Sequence, residues 1–207
     1  MAALASESPA ATPDEEQRAV PSSAIVLLNV VEACLHKGAS EWIFLRELRA
    51  GTGYHGNAAQ RLDAFALNCL PHTSMRRICY EVKTSRSDFL CEMKQPLKRR
   101  TGLRYSNEFY FVTPAGLLNT SELPIECGLV EVGAMAGEQT LASVESGAFV
   151  HFDVNEHAYC RVTVQAPWRE TPGPTWQLLA SMLRNQQKAF SGREPKPPNQ
   201  FRLPFTD

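Results

Sequence analysis

The chain predicts an α/β domain built on a central mixed sheet flanked by helices, and three observations carry that reading. Its 207 residues are 43% hydrophobic, enough for one globular domain with a sizeable core. Apolar residues switch along the chain between helical spacing and strict alternation. The resulting order of helix, three strands, helix and strand suits an α/β sandwich with a mixed sheet.

Order is expected from Ser22 or Ser23, either of which can cap a helix through AIVLLNVVEACLH that ends at Lys37 and Gly38. The helix is apolar on most sides, so it should pack on a sheet. EWIFLRELR reads as the first strand, although its length also permits a short helix. GTGYHGN is a glycine-rich turn, and RLDAFALN alternates as a second strand with Arg61, Asp63, Phe65 and Leu67 on one face. After the loop CLPHTSM, RICYEVK makes a third strand that can pair with the second as a hairpin. Ile78, Tyr80 and Val82 share one of its faces, and Cys79, Glu81 and Lys83 the other.

Ser85 followed by Asp88 resembles a capping box, and Phe89, Leu90, Met93 and Leu97 recur at helical spacing. Pro96 should kink or divide that helix. NEFYFVTP and CGLVEVG read as further strands, with others at AFVHFDV and YCRVTVQAP, and TWQLLASMLRNQQKAF closes as a helix. The expected organisation is therefore a disordered tail over 1–22, one domain over 23–190 with its core at 41–133, and a Pro-rich tail over 191–207.

Composition narrows the functional classes. A formal net charge of −1 excludes a uniformly basic coat but not a local basic patch. The six cysteines are scattered with no C-x-x-C pair, which favours reduced buried thiols in a cytoplasmic protein over zinc. His36, His55, His72, His151 and His157 share no ligand spacing. No run of roughly eighteen apolar residues predicts a membrane span, and the N-terminus lacks the regions of a secretory signal. GTGYHG lacks the lysine and the strand–helix setting of a phosphate-binding loop.

The chemistry concentrates on YEVKTSRSDFL. Charged side chains inside a strand need a partner or a metal. Alternation puts Glu81 and Lys83 on one face, about 6–7 Å apart, and a favourable register brings Asp63 there from the neighbouring strand. Two carboxylates and the Val82 carbonyl would form an incomplete oxygen shell of the kind that suits Mg²⁺, or Mn²⁺, with water in the remaining positions. Lys83 would then orient a water or offset charge on a reacting phosphate. The bare pattern acid-x-Lys occurs three times, at Glu81, Glu92 and Glu194, and only the first lies in an apolar strand downstream of an aspartate-bearing strand. The bland alternative for it is an edge-strand salt bridge with no chemistry.

The blocks RLDAFAL, YEVKTSRSDFL, K-x-P-x-KRR, SNEFYFVTPAGLL and CGLVEV, spanning Arg61 to Val132, resemble the PD-(D/E)xK nuclease-like superfamily, most of all its MmcB-type DNA repair and phage-associated branch. The resemblance covers about a third of the chain. It implies a restriction-endonuclease-like core, metal-dependent phosphodiester cleavage and DNA as substrate. Asp63, Glu81 and Lys83 match the catalytic signature, whereas Leu62 stands where the name-giving proline would be. Glu47 is a candidate third carboxylate, as an early glutamate is in many members, set against a solvated residue in RELR.

Around this centre, Ser85 is a helix cap that could also meet a phosphate at a helix N-terminus, and Arg86 is placed to contact DNA. The stretch KQPLKRRTGLR carries Lys94, Lys98, Arg99, Arg100 and Arg104 without an acid. It is expected to bind the DNA backbone without reading sequence; a solvated helix face is the alternative. The sequence reading is thus a Mg²⁺-dependent deoxyribonuclease of DNA repair or processing, with a homodimer or a repair-complex partner left open. Its alternatives are a catalytically inactive DNA-binding module on the same fold and a protein-interaction domain.

Overall fold

A computed structural model describes residues 23–50, 60–134, 149–152 and 158–191. The expected tail at 1–22, the expected tail at 191–207 beyond its first residue, and the glycine-rich turn at 51–57 lie outside the described residues.

Helix α1 (Ala24–Leu35) starts on Ser23, whose hydroxyl accepts from the Val26 N–H at 3.3 Å. It ends at Leu35, two residues before the expected lysine: the His36 N–H closes the last turn on Glu32, and Gly38, at φ 98°, belongs to the following turn. Strands β1 (Trp42–Arg49), β2 (Arg61–Asn68) and β3 (Arg77–Val82) form an antiparallel meander. The turn into β3 is tied by Asn68, whose side-chain oxygen accepts from the Leu70 N–H and the Thr73 hydroxyl, both at 2.8 Å.

From β3 the chain crosses over through helix α2 (Arg86–Met93), a short 3₁₀ turn at Pro96–Arg99 and helix α3 (Arg100–Tyr105) to β4 (Glu108–Pro114). Pro96 divides the helical segment, as the sequence predicts. Strand β4 is parallel to both β3 and β5 (Gly128–Ala134), and β7 (Ala158–Val164) returns antiparallel to β5 with β6 (Phe149–Phe152) at the edge. Among the described residues the mixed sheet has seven strands, in the order β1-β2-β3-β4-β5-β7-β6. Helix α4 (Trp176–Ser191) lies against β1, where Asn185 donates to the Arg46 carbonyl at 2.8 Å.

Both sheet faces are covered, so the central strands are apolar on both sides. One core places Leu27, Val31 and Cys34 of α1 over Ala64, Tyr80, Val112 and Val130. The other sets Phe89 of α2 and Leu178 of α4 against Phe65, Cys79, Phe109, Phe111 and Leu129. Each large apolar side chain buried this way contributes about 1.5–3 kcal/mol. Packing is close at Gly128, where an added Cβ would come within 2.5 Å of the Tyr110 ring and 2.6 Å of the Ala166 nitrogen. Gly128→Ala is therefore expected to destabilise by about 1–3 kcal/mol, read as a lower urea midpoint at unchanged slope.

Strand β1 breaks its own alternation. Glu47 has a positive φ of 51°, a conformation a glutamate seldom takes, and Leu45 and Leu48 both enter the α4-side core as a result. This irregularity decides where Glu47 goes.

Candidate functional site

The site forms where β2 and β3 part. Their ladder pairs Leu67 with Arg77 through Ala64 with Tyr80, so Asp63 and Glu81 stand opposite each other at the next position. There the Asp63 carboxylate, rather than the β2 backbone, takes the Val82 N–H at 2.9 Å. The strands are thus held by a side chain at this end. A strand residue directs its N–H and C=O toward the same neighbour, so the Val82 carbonyl turns to the Asp63 side as well. The Lys83 N–H goes the other way, to Val112 of β4 at 2.9 Å.

Strand β3 ends at Val82, and Lys83 is the first residue beyond it. Its ammonium is sunk, with the side chain only 6% exposed, and meets Glu81 at 2.9 Å, Glu92 at 3.6 Å and Asp88 at 3.8 Å. Two of these acids come from α2. Ser85 caps that helix by accepting the Asp88 N–H at 3.2 Å, which aims its first turn back at the end of β3. Asp88 and Glu92 are four residues apart, hence on one face, and that face looks at Lys83. In the sequence, Glu92 reads only as the motif partner of Lys94. Its signal is the Asp88–Glu92 spacing on the helix that follows the charged strand directly.

Electrostatics match this crowding. Burial, reinforced by the facing Asp63 charge, pushes the Glu81 carboxyl up from 4.5 to about 7, against the pull of Lys83. Burial also raises Asp63, although the Val82 N–H and Lys83 oppose it. Burial alone would lower the Lys83 ammonium; Glu81, Glu92 and Asp88 outweigh it and hold it above its ordinary value. Beneath them the buried Cys79 thiol is raised, first by burial and then by the two carboxylates. With Glu81 raised, the folded chain keeps a proton between pH 4.5 and about 7 that the unfolded chain has released. This group's contribution to stability therefore falls as pH rises through that window.

The donor set is all oxygen: Asp63, Glu81 and the Val82 carbonyl. A carboxylate whose proton affinity is raised by a facing acid also suits a divalent cation, which relieves the repulsion between the two. Among the described residues no group of three or more His, Cys, Asp or Glu is arranged to hold a metal. The donor set here, two carboxylates and a carbonyl, is of the oxygen type that Mg²⁺ takes when water fills its other positions. Glu47 does not join it. Regular alternation would have put Glu47 on the face of Leu45 and Asp63; the turned backbone gives that place to Leu48, and Glu47 is 70% exposed and 3.5 Å from Arg61.

The basic residues divide. Lys94, Lys98, Arg100 and Arg104 are exposed. Arg99 is not: it is buried and pairs with Glu126 at 3.4 Å, so a place on a phosphate-facing surface is corrected for this residue by the inward turn of the 3₁₀ segment. Arg86 is exposed but holds Glu122 through two hydrogen bonds, at 2.7 and 2.5 Å. The segment reaches the site's side of the sheet through Gln60, just before β2, which donates to the Leu97 carbonyl at 3.5 Å and accepts from the Thr101 hydroxyl.

No protein-family model matches the chain, and no curated protein does. Among solved structures, a protein of unknown function from Silicibacter pomeroyi is similar over 80% of this chain and 85% of its own, at 16% identity and a TM-score of 0.49. Among the described residues, no helix is long and apolar enough to cross a membrane.

Proposed function

We propose that this chain is a metal-dependent DNA nuclease with a restriction-endonuclease-like core, hydrolysing phosphodiesters in DNA repair or processing in the cytoplasm. The observation that carries the reading is the meeting of Asp63, Glu81 and Lys83 at the parted end of β2 and β3, where the chain turns into the capped helix α2. Asp63, Glu81 and the Val82 carbonyl would hold Mg²⁺ or Mn²⁺. The ion would polarise the phosphodiester and acidify a water. Lys83 fixes the Glu81 carboxylate and lends positive charge beside the reacting phosphate.

A second reading, an inactive DNA-binding module on the same fold, is favoured by the enclosure of Lys83. Three carboxylates surround its ammonium, and such a network can be purely structural. The two readings part on purified protein given nicked, flapped, branched and single-stranded DNA with Mg²⁺ or Mn²⁺. Cleavage that a chelator stops supports the nuclease, and inertness on every substrate with retained binding supports the module.

Binding itself makes a separate prediction. Each phosphate contact releases counterions, so affinity should fall steeply with salt. Reversing Lys98, Arg100 and Arg104 to glutamate should weaken all sequences alike and flatten the salt slope by about one unit per lost contact. Arg99→Glu would instead unfold the segment, because it buries a like charge beside Glu126. An unchanged slope in the triple variant returns the stretch to a solvated surface.

A further inference from the structure

Strand β1 is an edge of the sheet, and along it lies an open groove of about 670 Å³ between the last turn of α1 and the end of α4. Arg46, Arg49, Arg61 and Lys188 line it, and the acids among its described lining residues are Glu32 and Glu47. The charged side chains open to water. Arg49 and Lys188 are exposed, and the Arg61 side chain is 54% exposed.

The arginines are unequally committed. Arg46 donates to Asn29 at 2.5 Å and to Glu32, and its guanidinium lies over the Phe44 ring at 5.5 Å. Arg61 meets Glu47 at 3.5 Å, an exposed pair of the kind that holds weakly. Arg49 makes no hydrogen bond or ion pair among the described residues. Yet the β1–β2 ladder sets Arg49 directly opposite Arg61. Side chains so placed start about 4.5–5.5 Å apart, where like charges destabilise the strand pair. The one carboxylate beside them is itself mostly in water, so a bound anion is what would relieve the opposition.

The groove begins beside the candidate metal pair. Arg61 precedes Asp63 by two residues on β2, about 6–7 Å along the strand, and its charge helps to draw the Asp63 carboxyl down. Gln60, one residue earlier, holds the basic segment through Leu97 and Thr101. Along a DNA strand a phosphate recurs about every 3.4 Å of helix axis. A strand seated on Asp63 and Glu81 would therefore bring a phosphate to Arg61 within roughly two or three linkages.

We infer that Arg49 and Arg61 together clamp one backbone phosphate of a DNA strand that passes from the Asp63–Glu81 centre into this groove. The inference rests on the DNA-binding reading, which the nuclease and the inactive module share. Guanidinium forks take phosphate oxygens two at a time, and a phosphate between the two arginines turns their repulsion into attraction. The contact goes to the backbone and reads no sequence. Its role is positioning: it fixes the strand at a set distance from the carboxylate pair.

Fluorescence anisotropy on the intact chain tests it, with a chelator present so that cleavage does not intervene. Affinity is measured across a range of salt for a labelled DNA duplex and for one of its strands alone. Arg49→Gln/Arg61→Gln should bind about tenfold more weakly at low salt. It should flatten the slope of log affinity against log salt by just under one unit, since two arginines give up one phosphate. Lys37→Gln removes an exposed charge at the other end of β1, outside the groove, and should leave the slope unchanged. Arg49→Gln should melt no lower than wild type, because it gives up no partner among the described residues and lifts a like-charge opposition. Wild type that binds neither form of DNA removes the DNA-binding reading and the clamp with it. Wild type that binds, beside a double variant of equal affinity and slope, overturns the clamp alone. A slope flattened by about two units would mean two separate phosphates, and an early melt of Arg49→Gln would make that arginine structural; either result overturns the shared clamp.

Discussion

Lys83→Met is expected to lower stability by about 3–5 kcal/mol at pH 8, the usual cost of leaving a buried charge without its partner. Methionine replaces the apolar stem but withdraws the one ammonium that Glu81, Glu92 and Asp88 share. Asp88, half exposed, can turn to water; Glu92, whose side chain is 4% exposed, cannot. Glu81 is already raised to about 7 with the lysine in place, and losing the lysine raises it further. A carboxyl raised in the folded state stabilises least above its folded pKa, so the deficit should be smaller at pH 5 than at pH 8. Lys83→Met/Glu92→Gln removes the buried acid together with its cation and should recover much of the loss, because pairs in contact are not additive. Urea unfolding of wild type, single and double variants at both pH values checks this. A single variant within 1 kcal/mol of wild type, or a double variant no better than the single, would show that the ammonium is not the keystone of the cluster.

The sequence was most readable where local chemistry and global packing agree. Ser23 and Ser85 are capping residues in sequence and in structure, and β2 occupies the residues RLDAFALN whose alternation announces it. Parity put Glu81 and Lys83 on one face of β3, whereas the register that sets Asp63 opposite Glu81 was a condition and comes from the β2–β3 ladder. What escaped sequence reasoning depends on backbone events that side-chain patterns do not encode. The positive φ at Glu47 removes that residue from the face its position predicts. The 3₁₀ segment buries Arg99 in a stretch whose composition reads as uniformly exposed. Glu92 was hidden for a different reason: the Asp88–Glu92 spacing puts both acids on one face of α2, but only the angle between α2 and β3, which the Ser85 cap sets, turns that face to Lys83.

Glu81→Gln should reduce cleavage by about a thousandfold or more while leaving DNA affinity nearly unchanged, the pattern of a group that acts at the reacting centre rather than in ground-state binding. The isosteric amide keeps the volume and an oxygen but gives up the charge that would hold a divalent ion opposite Asp63. Because the wild-type carboxyl titrates near 7, proton and metal compete for it. At limiting Mg²⁺ the rate should climb as pH rises through about 7, and at higher Mg²⁺ that limb should move to lower pH. Stability provides a readout that does not depend on cleavage. An ion binding the folded chain alone raises stability by about 2.7 kcal/mol at a hundredfold its Kd, so Mg²⁺ or Mn²⁺ should raise the wild-type melting temperature and leave Glu81→Gln where it was. The variant should also lose the decline in stability between pH 4.5 and about 7 that the raised carboxyl imposes. If divalent ions move both proteins equally, the oxygen pair at the parted strands is not a metal site, and the binding-module reading accounts for Asp63 and Glu81 better than catalysis does.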